Sequence, residues 1–304
     1  MRGFEPGPRK PAGTDPMKRC QAPKREESAM RKPSAMVCFS FLLFSLTLPV
    51  FCQFLPEEIA ERQKWEEFLI GANVVRSEQM IGPESVTSPW HLTLEKEGIT
   101  NDALWKDVQG RLHGYIESWK FEIAAYRFDK YLGLNMVAPT VEKRFRENRG
   151  SCQLWVPYWK KLEKIKAEKL RVPPRFVFGY NRALYLQRAF DNLIGNQDRH
   201  TNNYFITEDW RMILPDHSRC FRTGRKWTKE LIYTEKHKEG PMVMRELPRA
   251  FYEKIKSLNY EIIKGFVGEY LSDDEINAVL ARKDLIIKEI ENLIQRNSED
   301  QVLY

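Results

Sequence analysis

Asn196-Gln197-Asp198-Arg199-His200-Thr201-Asn202-Asn203 is the stretch on which the reading of this chain turns, together with Asp216 thirteen residues further on. The residues before it, 183–194, carry Leu186, Phe190 and Leu193 at helical spacing, which predicts a helix. After it, 204–206 and 212–214 read as two short strands joined around Glu208-Asp209. A helix therefore leads into a polar loop, and a hairpin leaves it. Asp198 falls in the loop, Asn203 at the start of the first strand and Asp216 just past the second, so closing the hairpin brings Asn203 and Asp216 together. Those two oxygen-bearing side chains would hold Mg²⁺ or Mn²⁺ and leave positions for phosphate and water. Asp198, five residues before Asn203, is spaced to orient an acceptor hydroxyl and take its proton. Arg199 is a donor for a nearby carboxylate or phosphate, and His200 a hydrogen-bonding prop for the loop. Read blandly, the same stretch is a well-capped turn.

Phe190-Asp191-Asn192-Leu193-Ile194-Gly195-Asn196-Gln197-Asp198-Arg199-His200, with Asn203 and Pro215-Asp216-His217, resembles the catalytic and metal-binding segments of atypical kinases related to the HipA toxin kinases, the phosphatidylinositol kinases and the secretory-pathway kinases of the Golgi. The resemblance implies an α+β, bilobal protein-kinase-like fold with a small mixed lobe and a mainly helical large lobe. It also implies ATP as donor, with Asp198 as the catalytic aspartate, Asn203 as a metal ligand and Asp216 as the principal metal aspartate. Ordinary protein kinases have Asp-Phe-Gly at the last of these positions. This chain has Asp216-His217-Ser218, a departure the atypical groups share.

Upstream, Trp90, Leu92 and Leu94 alternate as in a strand, Glu97-Gly98 marks a turn, and 103–106 returns as the next strand with Lys106 turned to a cleft. Phe121, Ala125, Phe128 and Leu132 recur at offsets of four, seven and eleven, the apolar stripe of a helix, and Glu122 stands beside it. By resemblance, Lys106 reaches the nucleotide phosphates and Glu122 is its acidic partner. By themselves the two also read as an exposed strand lysine and a solvated helix flank. Ile81-Gly82-Pro83-Glu84-Ser85-Val86-Thr87 is a candidate phosphate-facing turn: Gly82 permits close backbone approach, Pro83 stiffens the path, and Ser85 or Thr87 supplies a hydroxyl. It is neither a Walker A sequence nor a Gly-x-Gly-x-x-Gly loop. The run 152–156 followed by Pro157 reads as the last small-lobe strand entering a hinge, with the backbone at Trp155 and Val156 placed to recognise the nucleotide base. Core packing is its competing use.

The domain order expected is 1–35, a disordered basic leader; 36–55, an export signal or membrane anchor; 56–156, the small nucleotide-binding lobe; and 157–304, the large catalytic lobe. The stretch 36–50 is almost wholly apolar, with Arg31 and Lys32 before it and Glu57-Glu58 after it. It is short for a span of about 20 residues, and its basic flank keeps that side in the cytosol while the rest is sent across. An extracytoplasmic or secretory location follows, with association at a membrane if the segment is retained. Met30-Arg31-Lys32 offers an alternative start. The leader contains nine Lys/Arg and four Asp/Glu, a net of plus five out of the chain's plus seven. The remaining plus two gives no reason to expect a specific nucleic-acid partner, although Arg144, Arg146 and Arg149 can form a local basic face.

Of five cysteines, only Cys152 and Cys220 lie in the expected fold. They would form a bridge if the lobes bring them together, or act as two small buried apolar residues. The histidines have no zinc spacing. Near the C-terminus Ser272 and Glu275 have capping-box spacing, followed by Ile276, Val279, Leu280, Ile286, Ile287, Ile290 and Leu293, a stripe that would close the large-lobe core. A coiled coil is the weaker use, because the heptad is not sustained.

The function expected is ATP-dependent phosphoryl transfer to a hydroxyl of a protein, lipid or sugar acceptor. An exported nucleotide-binding pseudokinase or interaction module is the alternative, since a fold can be kept without its turnover. A metal hydrolase using Asp198, His200, Asp216 and His217 is a third.

Overall fold

Alternation of apolar and polar residues over the first part of the chain builds a sheet, and longer helical periodicity then takes over. The computed structural model describes residues 53–82 and 87–304. After helices α1 (Pro56–Ala60) and α2 (Arg62–Gly71) come strands β1 (Asn73–Gln79), β2 (Trp90–Lys96) and β3 (Ile99–Lys106). A small hairpin of β4 (Gln109–Leu112) and β5 (Tyr115–Ser118) leads into helix α3 (Trp119–Leu132), followed by β6 (Thr140–Phe145) and β7 (Asn148–Leu154). Five strands pair antiparallel in the order β1-β2-β3-β7-β6. The two-residue period puts Leu92, Leu94, Ala103, Trp105 and Cys152 in one buried cluster with Phe68 and Leu69 of α2. Lys143 of β6 donates to the carbonyls of Leu69 (2.8 Å) and Ala72 (2.7 Å), capping the end of α2. Gly150 of β7 is required by contact: a Cβ there would lie 2.4 Å from the Lys106 carbonyl oxygen and 2.6 Å from the Trp105 ring.

The remainder contains β8 (Lys160–Lys161), α4 (Leu162–Ala167), α5 (Pro174–Ile194), the short pair β9 (Phe205–Ile206) and β10 (Met212–Ile213), and then α6 (Arg225–Lys229), α7 (Arg249–Ser257), α8 (Tyr260–Val267), α9 (Asp273–Arg296) and α10 (Glu299–Val302). A mixed α+β region is thus followed by a mainly helical one. Gly195 ends α5 in the left-handed conformation at φ 66°. Ser272 and Glu275 form the capping box that opens α9. Ile276, Val279, Ile286 and Ile290 are buried in the larger core, and Leu280, Ile287 and Leu293 pack against it. Arg282 is buried on the same helix and donates to the carbonyls of Leu193 (2.8 Å) and Arg222 (2.6 Å), tying α9 to the end of α5. Burial pulls its pKa down to about 10.

Helix α3 joins the two regions. Phe121, Ala125, Phe128 and Leu132 bury themselves in the larger core, not in the cluster under the sheet. The Phe121 and Phe128 rings lie 5.5 and 5.8 Å from that of Phe221. Between the clusters, Phe54 packs with Ala138 and Ile213.

One expectation changes, and one alternative is decided. The membrane-anchored location is corrected on one finding: among the described residues no helix is long and apolar enough to cross a membrane. The apolar segment 36–52 that prompted it, and the leader before it, lie outside the described residues. Cys152 and Cys220 are free and buried, with no bridge between them. Burial pushes the Cys152 thiol up to about 12 and the Cys220 thiol well above its usual value.

Candidate active site

Lys106 stands at the end of β3, where its backbone packs against Gly150, and its side chain reaches from the sheet to the helical region. Its Nζ lies 2.6 Å from Glu122 Oε1 on α3 and 3.0 Å from Asp216 Oδ1 beyond β10. Burial opposes the ammonium, but Asp216 and Glu122 beside it hold its pKa above the ordinary lysine value. Burial likewise opposes both carboxylates, and Lys106 holds each below the usual carboxylate range, Asp216 well below. Asp216 has φ 57°, the left-handed region that aspartate tolerates better than most residues. Ser218 Oγ donates to its Oδ1 at 3.1 Å. The Asp216 side chain nevertheless keeps 38 % exposure, so part of the carboxylate faces an open site.

The loop before it is organised by Arg199, whose side chain is fully enclosed. Arg199 pairs with both oxygens of Asp191 (3.0 and 3.1 Å), donates to the carbonyls of Asn203 (2.9 Å) and Pro215 (2.6 Å), and meets His217 Nε2 at 2.8 Å. One guanidinium therefore joins α5, the polar loop and the backbone entering Asp216. Asn196 Oδ1 accepts from the Asp198 N–H at 3.0 Å, and Asn203 Nδ2 donates to the Asp198 carbonyl at 3.0 Å. His200 Nδ1 accepts from the Asn202 N–H. His217 is wholly buried, and its own N–H donates to Glu122 Oε2 at 2.9 Å.

The Asp198 side chain is about one-third exposed, and its Oδ2 lies 3.0 Å from Arg219 Nη1. Arg219 in turn donates to Glu117 Oε1 at 2.9 and 2.7 Å. Arg219, Glu117 and Asp191 are site residues that the sequence reading did not single out. A cation three residues after Asp216 was a usable hint, but Glu117 lies 102 positions from Arg219, and only the fold brings them together.

The other expected residues fall as follows. Asn203 sits in a short 3₁₀ turn, Thr201–Asn203, closed by its N–H to the His200 carbonyl (2.9 Å), and not at the start of a strand. Ser85 lies outside the described residues, whereas Thr87 is half-buried in the connection from β1 to β2. The Trp155 N–H is engaged by the Asp102 carbonyl at 2.9 Å, so it is not a donor for a base. Val156 packs with Phe54, Ala138 and Ile213. Among the described residues no group of three or more His, Cys, Asp or Glu side chains could hold a metal. The oxygen donors here are one carboxylate, Asp216, and one amide, Asn203. That set suits a hard cation that takes its other oxygens from phosphate and water.

A cavity of about 1200 Å³ opens on the large-region side of Asp198, lined there by Gln197, Asp198, Arg199 and His200. Lys106, Glu122 and Asp216 do not line it. Asp198 thus stands between this cavity and the charged cluster around Lys106.

No family model matches the chain, and no curated protein matches it. Among solved structures it is similar to a proinflammatory kinase of Helicobacter pylori, CtkA, at 10% sequence identity and a TM-score of 0.45, over 78% of this chain and 98% of that one. At that level of likeness, the residues of the site carry the functional reading.

Proposed function

We propose that the chain is a kinase-type phosphotransferase, moving the terminal phosphoryl group of ATP to a hydroxyl of a protein, lipid or sugar acceptor. The observation that carries the reading is Lys106 Nζ held between Glu122 Oε1 at 2.6 Å and Asp216 Oδ1 at 3.0 Å, beside a rigid loop that presents Asp198. Lys106 binds phosphate oxygens, exchanging part of its contact with Asp216 for them. Asp216 and Asn203 would hold Mg²⁺ or Mn²⁺, which when bound would neutralise charge on the phosphates. Asp198 orients the acceptor hydroxyl and takes its proton. The hydroxyls of Ser85 and Thr87 serve the phosphates, and the Trp155 carbonyl with the Val156 backbone serves the base.

One observation favours the binding-module alternative: the Asp198 carboxylate is already paired with Arg219 at 3.0 Å, a contact that an acceptor hydroxyl has to share or displace. Its exposed third, facing the cavity, supports turnover instead. Thermal stabilisation by ATP with Mg²⁺ or Mn²⁺, followed by transfer assays across protein, lipid and sugar acceptors, separates the two. Transfer that stops in Asp198→Asn supports the phosphotransferase. Nucleotide binding with no acceptor phosphorylated supports the module, and no nucleotide binding at all removes both.

A further inference from the structure

The cavity beside Asp198 has a built floor. Asn192 of α5 clamps the Tyr233 peptide from both sides, accepting from its N–H at 2.8 Å and donating to its carbonyl at 3.2 Å. That fixes one wall of the cavity to the same helix that leads into the catalytic loop. Gln187, one turn earlier, accepts from the Tyr204 hydroxyl at 3.0 Å. Tyr180, Tyr204 and Tyr233 are buried residues that line this space.

Arg188 lies among these phenols and, like Arg282 of α9, which donates only to backbone carbonyls, differs from the arginines held by a carboxylate. Arg62, Arg182 and Arg199 are each paired with a carboxylate, Asp129, Glu246 and Asp191 respectively. Arg188 is half-buried and donates to the Val243 carbonyl at 2.8 Å. Among the described residues no carboxylate pairs with it. Burial pulls its pKa below the usual arginine value, opposed only by nearby tyrosines. A desolvated guanidinium without a counter-ion has a cost that a bound anion would offset. Lys166 and Lys288 add positive charge to the same lining, which Glu230, Glu235, Glu239 and Glu289 also share. A volume near 1200 Å³ exceeds what one anionic group fills, leaving room for the body of a small molecule.

We infer that this cavity takes a small hydroxyl acceptor bearing an anionic group, phosphate or carboxylate, which Arg188 pairs while the hydroxyl faces Asp198. The fate of that hydroxyl rests on the phosphotransferase reading; the binding does not. In the transfer, the acceptor oxygen forms the new bond to the γ-phosphorus of ATP as the bridging P–O bond breaks. ADP leaves with that electron pair, and the hydroxyl proton passes to Asp198.

Calorimetric titration without nucleotide tests the site, using glycerol 3-phosphate and glycerate as the anionic hydroxyl probes and glycerol as the neutral control. At least one anion is expected to bind where glycerol does not, and which one binds separates phosphate from carboxylate recognition. Arg188→Gln should weaken that binding at least tenfold and leave ATP binding unchanged, whereas Arg188→Lys, which keeps the charge, should retain most of it. Thermal melts of both variants report whether the fold is kept. Anions that bind no better than glycerol to the unmodified protein overturn the inference whatever the variants do. Equal affinity in a folded Arg188→Gln protein also overturns it. Arg188-dependent anion binding in a protein that fails to bind ATP keeps the site and removes the phosphotransferase reading. ATP binding without anion binding does the reverse.

Discussion

At the scale of the single residue, the backbone and the side chain of Asp198, the proposed base, are held by different partners. Asn196 and Asn203 fix the backbone, and Arg219 meets the carboxylate. Asp198→Asn should therefore preserve nucleotide and metal binding and lower transfer at least about tenfold at saturating ATP, because an amide keeps the shape but is not an equivalent proton acceptor. Normal transfer would remove its role as base. The Lys106 cluster makes a second prediction, on pH. Glu122 and Asp216 have lowered pKa values, so the stability they contribute is present above the ordinary carboxylate range and is lost as pH falls through their folded values. Lys106 has a raised pKa, so its contribution is present below the ordinary lysine value and is lost only as pH rises beyond it. The contribution of this cluster to the stability of the unmodified protein should thus stay flat from about pH 5 to pH 10 and shrink below about pH 4. Denaturant melts across that range check it; a step near neutrality would assign the titration to another group.

Element by element, the site depends on how α5, the polar loop and the β9-β10 pair are joined. Arg199 makes that joint by meeting Asp191, two backbone carbonyls and His217 at once. Arg199→Met should cost about 3–5 kcal/mol, since it leaves a fully buried carboxylate without its counter-ion. In Arg199→Met combined with Asp191→Leu part of that loss should return, a coupling that a double-mutant cycle measures directly. Strand β3 has its own constraint at Gly150. Gly150→Ala would place a methyl 2.4 Å from the Lys106 carbonyl oxygen, so β3 must shift, at about 1–3 kcal/mol. ATP affinity should weaken with it because Lys106 ends that strand, and unchanged affinity would show that the strand absorbs the methyl elsewhere.

Across the whole molecule, Lys106 is held by the sheet, Glu122 by a helix buried in the larger core, and Asp216 by the short strand pair of the helical region. ATP with Mg²⁺ or Mn²⁺ should bind where these three converge and stabilise the folded chain. At a hundredfold excess over the dissociation constant the gain is about 2.7 kcal/mol, read as a rise in melting temperature. Asp216→Asn should abolish the metal-dependent part of that rise while the melting temperature without ligand changes far less, because the side chain keeps nearly its size. An undiminished metal-dependent rise would place the cation elsewhere.

Sequence periodicity by itself determined the local geometry: β2 and β3 around Glu97-Gly98, the stripe on α3, the helix leading to Asp198, and the capping box of α9. These follow from side-chain spacing and short-range hydrogen bonds, which neighbouring residues settle among themselves. The roles expected of Lys106, Glu122, Asp198, Asn203 and Asp216 rest on the resemblance of their motifs to atypical kinases rather than on periodicity, and Asn203 falls in a 3₁₀ turn instead of at the start of a strand. Beyond the Lys106–Glu122 pair, tertiary structure decided which charges meet. Lys106 and Asp216 are 110 positions apart, and Arg219 and Glu117 are 102 apart. Only packing selected Asp191 as the partner of Arg199, seated α3 in the larger core and, among the described residues, left Arg188 without a carboxylate. Ion pairing falls off with distance and depends on burial, and both are properties of the folded whole that no stretch of sequence carries.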